Sequence, residues 1–310
     1  MTIFIWIIQI LFVPLVSPLC VGIIRKIKAI LQNRRGASIF QPYRDLWKLL
    51  HKDEVISTDA SWIFCYAPFI IFTATLVVGM SIPLFGSFFE NKLTGDILII
   101  IYTLAIGTFF LALSGMDTGS AFGGFGSSRE MTLSALAEGG FVFSLLVIAI
   151  ISGTTDVFAI SSSDIFAQGK DFLSVFFVFS GFFIILLAET SRFPFDNPAT
   201  HLELTMVHEA MILEYSGKRL ALMEWASSNK LLIFFALGAN LFFPVGLAQS
   251  AEISAIAIGI IVFMIKIGIF CFFIALIESS MAKFRFFRLP DLLLTSFILN
   301  VVALGLIYRL

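Results

Sequence analysis

Charged residues and cysteines are both scarce in this chain of 310 residues, and each shortage excludes a class of protein. Asp, Glu, Lys and Arg make up 13% of the residues, whereas hydrophobic types make up 59%. Soluble domains carry about 25% charged residues, so this composition excludes a water-soluble fold. Cys20, Cys65 and Cys271 lie in separate apolar stretches, and no CxxC pair is present. The sequence therefore predicts no disulfide, metal site or iron–sulfur cluster held by this chain alone.

Eight apolar runs have the length of about 20 residues that crosses the hydrocarbon core of a bilayer. They cover roughly 2–24, 62–84, 97–115, 131–152, 172–190, 231–248, 253–277 and 291–308. None alternates like a strand, so the sequence predicts an all-α, polytopic membrane helix bundle with about eight transmembrane helices in a single membrane domain, 1–310. Pro14, Pro18 and Pro68 fall inside spans, where neighbouring helices can satisfy the carbonyl groups that they free.

Lysine and arginine fall almost entirely in alternate loops. Sixteen lie in the odd-numbered loops, and only Lys92 and Lys170 lie in the even-numbered ones. The positive-inside rule then predicts that the odd loops are cytoplasmic and that both termini face outward. The two main cytoplasmic loops, 25–61 and 191–230, share this side, which indicates a docking face for other subunits. The alternative is that these charges only set the topology.

The first loop contains an amphipathic segment, PYRDLWKLLHK. It has Pro42 at a plausible first turn and places Tyr43, Leu46, Trp47 and Leu50 at helical spacing. This pattern predicts an amphipathic surface helix with basic flanks, resting on lipid headgroups or on a partner subunit.

A Gly/Ser-rich stretch, 114–128, precedes the fourth span. Its composition predicts a close-packed, non-helical turn, with Ser127 or Ser128 capping the helix that follows.

Two charged side chains lie deep within predicted spans. Glu138 follows Glu130 and Ser134 on one helical stripe, and Lys266 lies near the middle of the seventh span. Charges inside a membrane are costly and usually face a cavity or a polar partner, so both are candidate proton-coupling residues. We expect Glu138 or Glu278 to be the partner of Lys266. The alternative for each is a purely structural hydrogen bond or ion pair.

The fifth loop concentrates acidic residues beside the membrane. A helix is predicted over 199–215, with Glu203 and Glu214 on one face and His201 and His208 on roughly the opposite face. Because the spacing is not HExxH, a metal site is disfavoured. Closely spaced carboxylates raise one another's pKa and can pass protons near neutral pH. The acidic set is Glu189, Asp196, Glu203, Glu209, Glu214 and Glu224. A solvated acidic helix is the alternative.

Several motifs resemble those of a known family. NRRGASIFQPYRDLWKLL, SGMDTGSAFGGFGSSRE and LIESSMAKFR resemble the hydrogenase-4 component C and formate hydrogenlyase subunit 4 family. AETSRFPFD and EYSG resemble both that family and subunit 1 of respiratory complex I. The resemblance covers nearly the whole chain. Two departures are the AEGG of the fourth span, where close relatives have a proline after the Glu, and a longer segment between PFD and EYSG.

The resemblance implies a membrane anchor and coupling subunit of a redox-driven proton-pumping complex in a bacterial or archaeal cytoplasmic membrane. The implied partners are antiporter-like membrane subunits and hydrogenase-like large and small subunits, which would carry iron–sulfur clusters and, in a hydrogenase, nickel and iron. Family acids and their arginine carry over to Glu138, Glu189, Arg192, Asp196, Glu203 and Glu214. With Glu209 and Lys266 these carboxylates form the predicted coupling set. The residues predicted to serve structure or partner docking are Arg34, Arg35, Arg44, Asp117, Arg129, Glu130 and Arg192.

Three other functions stay open. The chain could be the quinone-site subunit of an NADH:quinone oxidoreductase-type complex, with quinone as its one candidate ligand. It could be a stand-alone secondary transporter, although the inverted repeats typical of that class are not evident. It could also be a structural anchor whose acids only stabilise the assembly. No nucleophilic triad, phosphate-binding glycine loop or nucleic-acid-binding surface is present, so we expect no catalysis by this chain alone and no nucleic-acid partner.

Overall fold

The structure is a computed structural model that describes residues 2–87, 94–163, 172–196, 206–250 and 252–309. Eight of its helices are long and apolar enough to cross a membrane, as predicted. They are α1 (Thr2–Leu31), α3 (Trp62–Ser81), α4 (Ile97–Asp117), α5 (Ala121–Ser152), α7 (Phe172–Glu189), α9 (Gly217–Leu241), α10 (Ile253–Ser280) and α11 (Leu289–Arg309). The shorter helices are α2 (Gln41–Leu50), α6 (Val157–Ser162), α8 (His208–Ile212) and a 3₁₀ turn (Phe286–Arg288). These ranges contain no β-strand, and the prediction of an all-α bundle is confirmed.

Helix α9 lies at the centre of the bundle. Every residue from 231 to 241 is buried, and α9 packs against α1, α3, α7 and α10. A helix that is apolar around its whole circumference must be surrounded by other helices or by lipid. Phe234 illustrates the surroundings, since its ring centroid lies 5.1 Å from that of Phe141 and 6.2 Å from that of Phe182. The side chains that position the candidate site are therefore held by a closely packed aromatic core.

Side chains of α9 and of the segment that precedes it satisfy two of the carbonyl groups that prolines free. A proline has no N–H to donate to the carbonyl four residues earlier. For Pro18 of α1, that carbonyl accepts the indole N–H of Trp225 at 2.8 Å. For Pro68 of α3, it accepts the hydroxyl of Tyr215 at 3.0 Å. Each proline thereby anchors its helix to α9 or to the segment that precedes it.

The odd-numbered loops meet at one end of the bundle, which we call the basic end. It consists of 32–61, 118–120, 190–216 and 281–288, within the described ranges. The first and fifth loops are joined there by a hydrogen bond from Val55 N to Ser216 Oγ of 2.8 Å. At the opposite end, Val157 N donates to Gly95 O at 2.8 Å. Loops of the same parity therefore share an end. The lysines of the even loops, Lys92 and Lys170, lie outside the described residues.

The turn predicted over 114–128 is wrong. Only three residues separate α4 from α5, which begins at Ala121. The small residues are present because these two helices approach closely. A Cβ on Gly123 would overlap the backbone of α4. Ser127 and Ser128 lie inside α5 and do not cap it, and the Ser127 hydroxyl donates to the Gly123 carbonyl at 2.8 Å.

Two other predicted boundaries differ from the structure. The sequence predicts the sixth span at 231–248, whereas α9 begins at Gly217 and ends at Leu241. Glu224 and Lys230 therefore lie on a membrane-spanning helix and not in a loop. A helix is also predicted over 199–215, but among residues 206–216 only α8 is helical. The remainder of the predicted helix, 199–205, lies outside the described residues.

The helix predicted in the first loop is present as α2. Pro42 lies in its first turn and is buried together with Leu46, and α2 packs against α9. Trp47, predicted to share the apolar face, is 67% exposed. That α2 lies on a membrane surface stays a prediction.

Candidate functional site

An ion pair joins the end of α7 to the middle of α9. Lys230 Nζ lies 2.8 Å from Glu189 Oε2, and the side chains are only 19% and 7% exposed. Lys230 also donates to Thr108 Oγ1 of α4 at 3.4 Å. The second oxygen of Glu189, Oε1, is buried and has no hydrogen-bond partner among the described residues. Sequence analysis identified Glu189 but missed Lys230, because it assigned Lys230 to a loop.

A second buried carboxylate, Glu278 near the end of α10, lies between two cations. Its oxygens lie 3.0 Å from Lys28 Nζ of α1 and 3.2 Å from Arg192 Nη1. The Glu278 side chain is 3% exposed. Removing a buried carboxylate from its cation is strongly unfavourable, so this triad fixes the fifth loop against α1 and α10.

Asp196 connects the fifth loop to the seventh loop and to α8. Its Oδ1 lies 2.5 Å from Lys283 Nζ. Its Oδ2 accepts the backbone N–H groups of Val207 and His208, both at 3.2 Å. These N–H groups lie at the start of α8, where a helix leaves donors without intrahelical partners. Asp196 is therefore a cap and an ion-pair partner at once.

A cavity of about 550 Å³ opens at the basic end, and we call it the outer cavity. Its charged lining residues are Arg25, Lys28, Arg34, Arg35, Asp45, Arg192, Asp196, His208, Glu209, Glu224 and Glu278. Burial, reinforced by the Glu224 and Asp196 carboxylates and opposed by Arg25, raises the pKa of Glu209 to about 7. Predicted coupling acids and predicted docking arginines thus face one space.

Two small cavities lie deeper, and we call them the inner cavities. Their volumes are about 50 and 20 Å³, enough to hold water, which needs roughly 10–15 Å³. Both are lined by Glu130 and Glu189, and the larger also by Lys230. The larger inner cavity and the outer cavity share Thr190, Ser191, His208 and Ser227 as lining residues. Polar groups therefore continue from the outer cavity into the bundle.

Glu138 lies in a groove of about 420 Å³ between α4 and α5, which we call the lateral groove. It is half-buried, and Ser134 Oγ donates to its Oε1 at 3.1 Å. Ser134 also lines the smaller inner cavity, and Thr108 lines both the larger inner cavity and the groove. The stripe predicted for Glu130, Ser134 and Glu138 therefore leads from the inner cavities to the side of the bundle.

Lys266 does not pair with either predicted partner, and that prediction is wrong. Its ammonium donates to Phe243 O at 2.6 Å, Asn240 Oδ1 at 3.1 Å and Ala239 O at 3.3 Å. Among the described residues no carboxylate pairs with it. These oxygens lie at the end of α9, whose last carbonyls lack intrahelical donors. Lys266 therefore caps α9, and Glu278 pairs at the basic end instead.

Several predicted residues lie apart from the cavities. Glu214 is exposed, and Arg44 is exposed on α2. Asp117 ends α4 and accepts hydrogen bonds from Ser61 N at 2.8 Å and Ser61 Oγ at 2.6 Å, so it fixes the start of α3. The Arg129 guanidinium lies 4.6 Å from the Phe125 ring centroid and donates to the fifth loop.

Two members of the predicted acidic helix, His201 and Glu203, lie outside the described residues. In the part of the chain that the structure does describe, no group of three or more His, Cys, Asp or Glu side chains could hold a metal ion. The chemistry available to the described site is therefore that of carboxylates, cations, hydroxyl groups and one imidazole.

Comparison with known proteins gives a consistent match along the chain. The family described as NADH dehydrogenase matches residues 3–308. Hydrogenase-4 component C of Escherichia coli (strain K12) is 34% identical over 295 residues, which are 95% of this chain and 92% of the relative. Formate hydrogenlyase subunit 4 of the same organism is 30% identical over 278 residues, 90% of each chain.

More distant relatives extend the match. NADH-quinone oxidoreductase subunit 8 of Rhodothermus marinus is 28% identical over 315 residues, covering 91% of this chain and 89% of the relative. A chain in the structure of the membrane-bound sulfane sulfur reductase, an archaeal respiratory membrane complex, has the same fold. The TM-score is 0.81, with 20% identity and 98% coverage of both chains.

Proposed function

Because this chain belongs to the NADH dehydrogenase family and is a membrane subunit of the hydrogenase-4 and complex I-like type, we propose that it couples redox chemistry to proton movement. The redox arm, made of hydrogenase-like large and small subunits, docks at the basic end. Antiporter-like membrane subunits contact the side of the bundle, where the proton movement is passed on to them. The chain itself binds no redox cofactor in this proposal.

The observation that carries the proposal is the succession of adjoining polar spaces. The outer cavity adjoins the inner cavities, and the inner cavities share Ser134 and Thr108 with the lateral groove. Glu189, Glu130 and Glu138 follow one another along this route. Ionisable groups inside a membrane are rare and mark ion or proton pathways. A purely structural anchor has no need of carboxylates that face cavities along a route through the bundle.

The pairing of the charges supports proton transfer along this route. Lys230 forms an ion pair with Glu189, whereas no cation pairs with Glu130 or Glu138 among the described residues. Buried carboxylates near one another are costly when all of them are ionised. A redox event at the basic end can then change which carboxylate holds the proton.

The test replaces one carboxylate at a time by glutamine, which keeps size and hydrogen bonding but cannot carry a proton. Glu138→Gln and Glu189→Gln should leave the complex assembled and lower the number of protons translocated per electron in sealed vesicles. Glu214→Gln is the matched control, because Glu214 is exposed and lies away from the cavities. Wild-type stoichiometry and rate in both variants would leave only the structural role.

A quinone site is the second candidate, and the outer cavity favours it. Its volume of about 550 Å³ lies within the range of roughly 300–1,000 Å³ that is usual for ligand pockets. Its charged lining disfavours it, since such pockets are mostly apolar. A photoreactive quinone should label residues of the outer cavity, such as Ile212 or Leu231, if this candidate is correct. Excess unlabelled quinone should suppress this labelling. If it does not, the quinone site is rejected.

The orientation of the bundle belongs to the same proposal. The basic end faces the cytoplasm, and both termini face outward in an inner membrane. Asp53→Cys at the basic end and Thr155→Cys at the opposite end provide exposed reporters. In intact cells a membrane-impermeant maleimide should label position 155 and spare position 53. Labelling of position 53 alone reverses the orientation and removes the docking proposal with it.

A further inference from the structure

His208 lies at the wall between the outer cavity and the larger inner cavity. Four residues line both spaces, and the other three are Thr190, Ser191 and Ser227. Among these four, His208 has the one imidazole, a side chain whose neutral form carries both a donor and an acceptor nitrogen. The Thr190 hydroxyl already donates to a carbonyl of its own helix at 2.6 Å, so its proton is engaged.

The backbone of His208 is held at the start of α8. His208 is the first residue of that helix, and its N–H donates to Asp196 Oδ2 at 3.2 Å. Asp196 is in turn held by Lys283. No hydrogen bond joins the imidazole nitrogens to another group among the described residues, and the His208 side chain lines both cavities.

We propose that the His208 imidazole relays protons between the outer cavity and the inner cavities. This deepens the coupling function proposed above and rests on it. A proton from water on one side binds the unprotonated ring nitrogen, and the proton on the other nitrogen leaves to water on the opposite side. One proton enters and one leaves, so the ring is neutral before and after. Rotation of the ring then turns the unprotonated nitrogen back towards the side from which protons enter.

The surroundings keep the ring neutral, as this step requires. Burial lowers the pKa of His208 to about 4, with Lys230 adding to the effect and Asp196 opposing it. The titratable groups around it are Glu130 of α5, Glu189 of α7 and Lys230 of α9 on the inner side, and Glu209, Glu224 and Asp196 on the outer side. A neutral imidazole has one donor and one acceptor nitrogen, the pair that a relay needs.

The experiment uses the intact complex. His208→Gln should lower both redox turnover and proton translocation at least tenfold, because an amide cannot exchange protons in this way. His51→Gln is the matched control, since His51 is exposed at the end of α2 and its ring is bonded to Trp47 O. In the solubilised complex, added imidazole should restore turnover to His208→Gly, increasingly as pH rises and more of the imidazole is neutral.

The outcomes separate the relay from the coupling function. Normal translocation in His208→Gln with impaired translocation in Glu189→Gln refutes the relay and leaves the coupling proposal standing. Normal translocation in His208→Gln and in Glu189→Gln refutes the relay and the coupling proposal together. If His208→Gln is impaired and imidazole does not rescue His208→Gly, the role of His208 is structural and the relay is overturned. The same conclusion follows if neither His208→Gln nor His208→Gly copurifies with the complex.

Discussion

Replacing Lys230 with methionine tests whether the ion pair between α7 and α9 is as buried as the structure indicates. Methionine has a similar length and no charge, so the packing of the side chain is largely retained. The change leaves the Glu189 carboxylate, 7% exposed, without its cation. Thr108 also loses a donor at 3.4 Å, which is a smaller effect.

The magnitude follows from the distance and the burial. Opposite charges 2.8 Å apart attract by about 6 kcal/mol at an effective dielectric constant of about 20. Desolvation offsets most of that attraction while the pair is intact. When one partner is removed, the desolvation of the other remains, and such losses are about 3–5 kcal/mol. Because Lys230 is 19% exposed, we expect about 3 kcal/mol, the lower end of that range.

The assay is the temperature at which half of the subunit is lost from the solubilised complex. Lys230→Met should lower this midpoint clearly, whereas Lys218→Met, an exposed lysine on the same helix, should not. The double variant Lys230→Met with Glu189→Gln removes both charges and should recover most of the loss. A double variant that is as unstable as Lys230→Met would refute the pairing argument, because the cost would then come from packing.

The other predictions concern the outer cavity and the end of α9. The pKa of Glu209 is raised to about 7, so the folded protein should lose stability as the pH rises and this carboxyl group ionises. Between pH 4.5 and 7 the wild type should lose up to about 3 kcal/mol of stability relative to Glu209→Gln, measured from thermal midpoints. A difference between the two proteins that does not change with pH would contradict this. Lys266→Met should lower the thermal midpoint, because three oxygens lose their donor, yet leave protons per electron unchanged; a lowered ratio in a stable complex would restore its predicted coupling role. Arg34 and Arg35 are exposed at the outer cavity, and reversing their charges should release the redox arm from membranes. Lys48→Glu is the control. If the arm stays bound, these charges serve only to set the topology.

Apolar length made the bundle predictable, and buried charge limited the prediction. Seven spans overlap their predicted positions, with an earlier start for α5, because single charges such as Glu138 and Lys266 leave the mean hydropathy of those helices high. The sixth was displaced because Glu224 and Lys230 lower the hydropathy of the first half of α9. Inside the bundle that lysine is neutralised by Glu189, a residue on another helix. A sequence window cannot register that compensation.

The same limit applies to the site. Acidic clustering was visible along the chain, so Glu189, Asp196 and Glu209 were found. Their cations were not, since pairing joins residues far apart: Lys28 and Glu278 are separated by 250 positions, and Asp196 and Lys283 by 87. The glycines of 114–128 misled for a related reason. Their small size serves a helix crossing, whereas composition alone is equally typical of a turn.

The distribution of cations along the route bears on how a proton would move through it. At the basic end, Glu278 has two cations, and Asp196 and Glu189 each have a lysine. Further along, Glu130 and Glu138 have none among the described residues. A nearby cation attracts an ionised carboxylate and a carboxylate without a cation lacks that attraction. A proton entering from the outer cavity therefore meets carboxylates paired with cations before carboxylates without them, and we expect this order to favour transfer towards the lateral groove. Glu138→Lys would place a cation at the end of the route where the described residues have none, which removes this order of charges. We expect Glu138→Lys to stop proton translocation, whereas Glu138→Gln should only lower it. Equal residual translocation in the two variants would show that the charge order along the route does not matter.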